Sequence, residues 1–490
     1  MATTNYNTDI PGEIMTPDAV ETRIGTLTFV DGVPTPETTR LAYDHLDFLR
    51  GVEVFLNFVP AASLEAMRRG NAERGATASH QALIFDQLMD SKPLWLTPNT
   101  DTVYVSVFLD LERDGPTVVE IPRGCGPGTV NDAYFRFVVD MGVPGPDAGR
   151  GGKYLIVPDS FAGDVPADEK DGGEYFVARS PSSVNWLILR GFLVDGKPDA
   201  ASKMFREALK VYPLAKAASP PKMEFINCST VPHNTIHANT FAFYEELDHV
   251  IQKEPIGFID PELRGLAASI GIRKGRPFAP DARMKKTLTE AVAVGNATAR
   301  AVSFHNRDAR APIYKDSQWK TGFIGGDYRW LDGDGLAGRN LDARTGFFYM
   351  ATVNTPAMAM KMVGKGSQYA IIFADSLGHP LSGAKAYSLN IPANAPAKDF
   401  WSVVLYDPQT RSELQTGQPF PGRNSKKGEL AANADGSVDL YFGPTAPGDK
   451  ENNWLQTVPG KGWFALLRLY GPTQAWFDQT WRPGEIEEMS

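Results

Sequence analysis

The sequence predicts a mixed, β-rich fold with a helical part, and three observations carry that expectation. Hydrophobic period two dominates two separate stretches, the helical period returns between them, and Gly and Pro are abundant. The 46 Gly and 37 Pro among 490 residues are about a sixth of the chain, which favours turns and short strands over long helices. The length exceeds one ordinary domain and corresponds to about three units of core.

Residues 1–35 are polar and rich in Thr and Pro, and read as an arm lying on the surface or on a neighbouring subunit. In the helical segment 36–79, the stretch from Pro36 to Arg74 spaces apolar residues three and four apart after a Thr cap. It breaks at Gly70, which predicts an amphipathic helical pair with His45 as a packing residue. Residues 80–196 switch to period two. VYVSVFLDL, PTVVEIP, YFRFVVDMG, KYLIVPD, EYFVARS and NWLILRGFLVDG are six strand candidates, whose regular spacing suggests a sandwich or a barrel.

Residues 197–344 read as a helical insertion and bridge. Four segments, DAASKMFREALKVYPLA, FAFYEELDHVIQKE, DPELRGLAASIGI and DARMKKTLTEAVAVGNATARAVSFHN, open on capping residues, and a Trp- and Gly-rich bridge runs from Trp319 to Arg344. Residues 345–490 form a second β unit from QYAIIFADS, AYSLNIP, DFWSVVLYD, SVDLYFGP and WFALLRLYGP, with DPQT and NADGS as turns. Trp401, Trp463 and Leu467 lie in these runs and are assigned to its core.

Net charge is −9, and the basic clusters, Arg283 to Lys286 and Lys426–Lys427, are short. A nucleic-acid partner is therefore not expected. The N-terminus lacks the pattern of a secretory signal, and no apolar run approaches the roughly 20 residues that span a bilayer. The expected address is cytoplasmic, with no membrane partner. Two cysteines, Cys125 and Cys228, exclude a disulfide framework and a zinc site of several thiolates.

Absent motifs narrow the chemistry. There is no GxSxG elbow, no phosphate loop, no GxGxxG after a strand and no HExxH. His233 and His237, four apart in VPHNTIHANT, have a spacing that can place two imidazoles on one metal if they share a helix face, but no third ligand is apparent nearby. The alternative is a helix start whose side chains cap and pack. Residues 131–153 gather Asp132, Asp140 and Asp147 with Arg136, Arg150 and Lys153 around a Gly- and Pro-rich loop. That loop is suited either to approach a ligand or to serve as a solvated hairpin connection.

The most informative stretch is TPNTDTVY, residues 97–104. Four polar side chains stand between PLWL and a strand, so the stretch is either a turn or a site. Asn99 and Asp101, two apart on extended backbone, point to one side, and their oxygens suit Mg²⁺ or Ca²⁺. Alternatively, both form an Asx-type turn with local amides.

TPNTDTVYVSVFLDL, GPTVVEIP and GGKYLIVP resemble the N-terminal module called domain of unknown function 1254. AKDFWSVVLYD, NADGSVDLYFGP, NNWLQTVPGKGWFALLRLYGP and TWRPGEI resemble its companion, domain of unknown function 1214. The resemblance implies two antiparallel β-sandwich units, jelly-roll-like in the C-terminal one, with helices between and around them and a recess between the modules. Many relatives keep an Asn-Arg pair in the second module. Here Arg423 and Asn424 occur in reverse order, and no role is carried onto them.

Two functions fit. One is a small-molecule enzyme, hydrolase-like, with Asp101, Tyr104 and Arg136 as catalytic candidates and Asn99, Thr102 and Lys153 holding substrate. A hard cation, Mg²⁺ or Ca²⁺, would sit at Asn99 and Asp101. The other is a non-enzymatic module that binds a small molecule or carbohydrate on aromatic surface, drawing on Trp401, Trp454, Trp463, Trp476 and Trp481. Either fits a small-molecule ligand and a homo-oligomer. Cys125, among glycines in RGCGPG, is expected to be accessible but unactivated.

Overall fold

The computed structural model describes residues 8–426 and 428–489. Residues 1–7 of the expected arm and Lys427 of a basic cluster lie outside that range. The remainder of the arm carries a three-stranded meander, β1 (Ala19–Thr22), β2 (Gly25–Val30) and β3 (Val33–Pro34).

A single helix, α1 (Pro36–Glu73), follows where the periodicity suggested two. Thr35 caps it by accepting from the Thr38 amide, and Pro36 occupies the first turn, where its missing N–H costs nothing. Gly70 does not end the helix. A Cβ there would stand 2.3 Å from the Asn234 carbonyl oxygen, so Gly70 marks close packing. The middle of α1 from Val54 to Met67 is buried on nearly every side, with only Leu56 partly exposed, and Pro60 lies within it.

Ten strands build the first β unit: β4 (Gln81–Ile84), β5 (Thr102–Asp110), β6 (Thr117–Ile121), β7 (Gly128–Asp132), β8 (Phe137–Met141), β9 (Gly152–Pro158), β10 (Tyr175–Ser180), β11 (Val184–Phe192), β12 (Lys210–Pro213) and β13 (Glu224–Asn227). Short α2 (Leu111–Asp114) and α3 (Asp199–Ala208) interrupt them. The strands form a six-stranded sheet ordered β13-β4-β5-β11-β7-β8 and a four-stranded sheet ordered β10-β9-β6-β12. One apolar cluster joins the two sheets, with Val103, Val105, Leu187 and Leu189 from the first meeting Val119, Tyr154, Ile156 and Val211 from the second. The six expected strands all occur. The expected helix over residues 199–215 stops at Ala208, because its last residues add β12 to a sheet edge beside β6.

The helical part comprises α4 (Ala242–Lys253), α5 (Pro261–Ser269), α6 (Ala282–Phe304), α7 (Leu341–Met350) and α8 (Pro356–Ala359). Helices α4 to α7 pack around α1. Glycines set the closest approach. A Cβ at Gly51 of α1 would lie 2.7 Å from Ala291 Cβ, and one at Gly295 of α6 would lie 2.8 Å from a Phe55 ring carbon.

The C-terminal unit contains β14 (Ser367–Ile372), β15 (Tyr387–Ile391), β16 (Ala397–Tyr406), β17 (Gly422–Asn424), β18 (Val438–Gly443), β19 (Trp454–Gln456), β20 (Phe464–Pro472) and β21 (Ile486–Glu488), with α9 (Gln474–Phe477) near its end. Its sheets run β14-β20-β16-β17 and β19-β18-β15-β21. Trp401, Trp463 and Leu467 enter the cluster between them, as expected, with Trp476 and Trp481. Pairing is not antiparallel throughout. β9 with β10, β4 with β13 and β18 with β19 are parallel. Among the described residues no helix is long and apolar enough to cross a membrane.

Candidate functional site

Alternation along the strands gives each unit one sheet with two different faces. In β5 and β11 the odd-numbered residues from Val103 to Leu189 face the core, which turns Tyr104, Trp186, Ile188 and Arg190 to the opposite side. In β14 and β20 the core takes Ala370, Ile372, Leu467 and Leu469. Ser367, Tyr369, Ile371, Leu466, Arg468 and Tyr470 face away from it. These two outward faces enclose a recess of about 100 Å³. Residues of α6, α7 and the segment from Lys320 to Ile324 close it, with Ala343, Gly346, Phe347 and Met350 of α7 forming one stripe at helical spacing.

TPNTDTVY is both a turn and a wall of this recess. Asn99 Oδ1 accepts from the amides of Asp101 (2.9 Å) and Thr102 (3.1 Å) and from Thr102 Oγ1 (3.0 Å). Its side-chain amide donates to the Tyr104 hydroxyl at 2.7 Å, and its backbone amide at 3.3 Å. Thr97 adopts φ of 39°, which a β-branched residue rarely takes. The C-terminal unit holds it there. The Thr97 amide donates to the Arg411 carbonyl, and Arg468 Nη2 donates to the carbonyls of Thr97 (2.8 Å) and Pro98 (3.0 Å).

The predicted site residues are only partly brought together. Asn99 and Tyr104 line the recess, while Asp101 and Thr102 are buried behind it. Asp101 accepts from Asn424 at 2.7 Å and from the Tyr470 hydroxyl at 3.4 Å, so Asn424, which carries no role in the sequence analysis, joins the two units. Its carboxylate and the Asn99 carbonyl oxygen are thus engaged by different partners rather than turned to one shared cation. Burial and the neighbouring Asp101 push the Tyr470 phenol well above its ordinary pKa. Arg136 is elsewhere, paired with Asp132 at 2.6 Å, and Lys153 lies on β9 in an ion pair with Glu174. None of residues 131–153 lines the recess.

His233 and His237 do not share a helix face, because the chain from residue 230 to 241 is irregular. His233 accepts from Trp95 Nε1 at 3.0 Å and so positions a recess wall, and burial lowers its pKa. His237 is buried among Phe55, Phe243 and Tyr349, and burial drives its pKa down to about 3. Cys125 is fully buried in the first unit's core, contrary to the expected accessibility. Among the described residues no group of three or more His, Cys, Asp or Glu side chains is placed to hold a metal ion.

Sequence reasoning missed the basic residues of the recess. Arg190 stands opposite Tyr104 in register, its guanidinium 5.6 Å from the ring centroid and its buried Nε without a hydrogen-bond partner. Arg468 is buried, with Nη1 unpartnered. Lys320 is half-buried and donates to the Phe304 carbonyl at 3.2 Å, and desolvation lowers its pKa. Among the described residues no carboxylate lies within ion-pair distance of any of the three, and no Asp or Glu lines the recess. A signal was present. Arg190 and Arg468 are the lone charges in otherwise apolar strands, NWLILRGF and FALLRLYGP.

Two family models match this chain. Residues 81–213 match a protein of unknown function, DUF1254, and residues 366–474 match a protein of unknown function, DUF1214. The chain therefore carries these two domains as an N-terminal and C-terminal pair. Asn99, Tyr104 and Arg190 come from the first and Arg468 and Tyr470 from the second, while Lys320 and α7 lie between. The crystal structure of the VPA0106 protein from Vibrio parahaemolyticus is similar at a TM-score of 0.55 and 18% identity, covering 91% of this chain and 100% of that one. This is a likeness of fold. An uncharacterized protein from Burkholderia cenocepacia reaches a TM-score of 0.40 at 13% identity, covering 92% and 96%. No curated protein matches the sequence.

Proposed function

We propose that the protein binds a small organic anion with an apolar body in the recess between its two β units. One observation carries this reading. Arg190, Lys320 and Arg468 converge on a cavity walled by Trp95, Trp186 and Phe347; none has a carboxylate within ion-pair distance, and Asp140 and Glu413 act on Arg190 and Arg468 only at longer range. Cations in a desolvated site are costly unless paired, and an anionic ligand supplies the pairing that the protein omits. Guanidinium groups suit a carboxylate head in particular, since their planar fork meets both oxygens.

The neutral groups fit the same ligand. Tyr104 accepts two bonds from Asn99 at its hydroxyl oxygen, which leaves its own proton for a ligand oxygen. The recess is small, about 100 Å³, which limits the ligand to a compact anion. Binding is favoured over carboxylate-assisted hydrolysis because the recess offers no acid/base carboxylate and Asn99 already spends its oxygen on three donors. A carbohydrate surface is not favoured either, since Trp401, Trp463, Trp476 and Trp481 are buried and Trp454 is half-buried.

The test is calorimetric titration with benzoate, benzamide and benzylamine, followed in parallel by tryptophan fluorescence from Trp95 and Trp186. Benzoate should bind at least tenfold more tightly than benzamide, a difference of about 1.4 kcal/mol, and benzylamine should not bind. Equal affinity for the acid and the amide would refute the proposal.

A further inference from the structure

A second depression, of about 310 Å³, lies on the other side of α7. Ala343, Gly346, Phe347 and Met350 face the recess, whereas Arg344 and Phe348, one turn apart, face this depression. Around it stand four arginines, Arg136, Arg329, Arg339 and Arg344, from the β7–β8 turn, the bridge and α7. Two are balanced. Arg136 pairs with Asp132, and Arg329 pairs with Asp327 at 2.9 Å. Arg339 and Arg344 have no carboxylate within ion-pair distance among the described residues.

Arg344 is buried and donates to Asn57 Oδ1 at 2.7 Å, and its Nε has no hydrogen-bond partner. The indole nitrogen of Trp330, on the same wall and also buried, lacks one too. Arg339 donates to the Arg329 carbonyl from the rim. Partial burial, with Arg344 and Arg136 close by, lowers its pKa. The one carboxylate on the wall, Asp260, is exposed and caps α5 by accepting from the Leu263 amide at 2.9 Å. Crowded cations in a half-enclosed space are the arrangement that a multiply charged anion relieves. Aromatic surface adjoins them. Tyr328 and Phe137 pack edge to face at 5.5 Å, and Arg329 lies 5.5 Å from the Tyr328 centroid.

We propose that this depression binds an organic phosphate monoester, its dianionic head between Arg339 and Arg344 and its carbon body against Tyr328 and Phe137. Two guanidinium groups without a carboxylate at ion-pair distance match the two charges of the head, and their fork matches phosphate oxygens. The volume reaches the ~300 Å³ at which small-molecule sites begin. This site is separate from the recess and does not depend on it.

The experiment is calorimetric titration of the full chain with phenyl phosphate, inorganic phosphate and phenol, in wild type, Arg339→Gln, Arg344→Gln and Arg190→Met. Phenyl phosphate should bind more tightly than inorganic phosphate, and phenol should not bind. Arg339→Gln, at an exposed rim position that leaves the core intact, should weaken phenyl phosphate at least tenfold. Arg344→Gln should do the same if circular dichroism shows it folded. Arg190→Met removes binding of this anion at the recess, and the site that remains should keep its affinity within twofold. No saturable binding of phenyl phosphate to wild type, unchanged affinity in Arg339→Gln, or loss of all phenyl phosphate binding in Arg190→Met would each overturn the proposal.

Discussion

Asn424 of the C-terminal unit donates its side-chain amide to the Asp101 carboxylate of the N-terminal unit at 2.7 Å, across a boundary where both residues are buried. The bond makes Asp101 a seam residue rather than a recess wall. Asp101→Ala should therefore destabilise the fold by about 1–3 kcal/mol, the cost of a buried donor losing its acceptor. Asp101→Asn, which keeps an oxygen for Asn424, should lose less. Urea denaturation of the three proteins measures this order. Because Asp101 does not line the recess, folded Asp101→Ala should lose less anion affinity than a variant of Arg190. A larger loss at Asp101 would return it to the ligand.

Arg190 offers the opposite separation of binding from stability. Its Nε has no hydrogen-bond partner and its guanidinium stands over the Tyr104 ring at 5.6 Å, so removing it breaks no ion pair. Replacing a desolvated charge that has no ion-pair partner by an apolar side chain is often neutral or stabilising. Arg190→Met should keep the unfolding free energy within about 1 kcal/mol of wild type while weakening benzoate at least tenfold. Arg468→Met should weaken benzoate as well, and in addition cost about 2 kcal/mol, because Arg468 also donates to Thr97 and Pro98. Tight benzoate binding by stable Arg190→Met would remove Arg190 from the site.

The strands were legible because alternation is written locally, and VYVSVFLDL and WFALLRLYGP became β5 and β20. Which strand pairs with which is not local. β13 joins β4 from more than a hundred residues away and in parallel, and no periodicity announces that. TPNTDTVY is readable as a polar interruption, and Asn99 both closes the turn and lines the recess. Arg136 and Lys153 were visible as charges, but tertiary structure gave each a nearby carboxylate and kept both away from the recess. Lys320 sits in an aperiodic bridge, where the sequence carries no directional cue.

Burial decides the behaviour of both thiols. Cys125 and Cys228 are buried, and desolvation pushes each thiol above its ordinary pKa. The thiolate is the reactive form, so alkylation of the folded protein should be slow for both. Mass spectrometry after iodoacetamide should find neither modified in native buffer and both modified in guanidinium. Cys125→Ser should leave benzoate affinity unchanged, since Cys125 lies in the first unit's core. Rapid, stoichiometric labelling of native Cys125 would contradict its burial.

Asp140 supplies a pH dependence whose sign can be fixed. It is buried on β8, where Oδ2 accepts from Thr355 Oγ1 at 2.9 Å and Oδ1 has no partner, with Arg190 and Thr129 lining the same small pocket. Burial raises its pKa from 3.8 to about 6. Between those values the native state holds the proton more tightly than the unfolded chain. Stability therefore falls as pH rises from about 4 through 6, and the contribution is complete only below the unfolded value. A shift of this size is worth about 2–3 kcal/mol at most. Asp140→Asn keeps an oxygen for Thr355 and cannot ionise. Its unfolding free energy relative to wild type should thus rise by up to that amount between about pH 4 and pH 8, as read from urea denaturation at intervals across the range. A difference between the two proteins that stays constant across the range would show that Asp140 does not titrate there, and that its carboxyl is paired more strongly than its surroundings indicate.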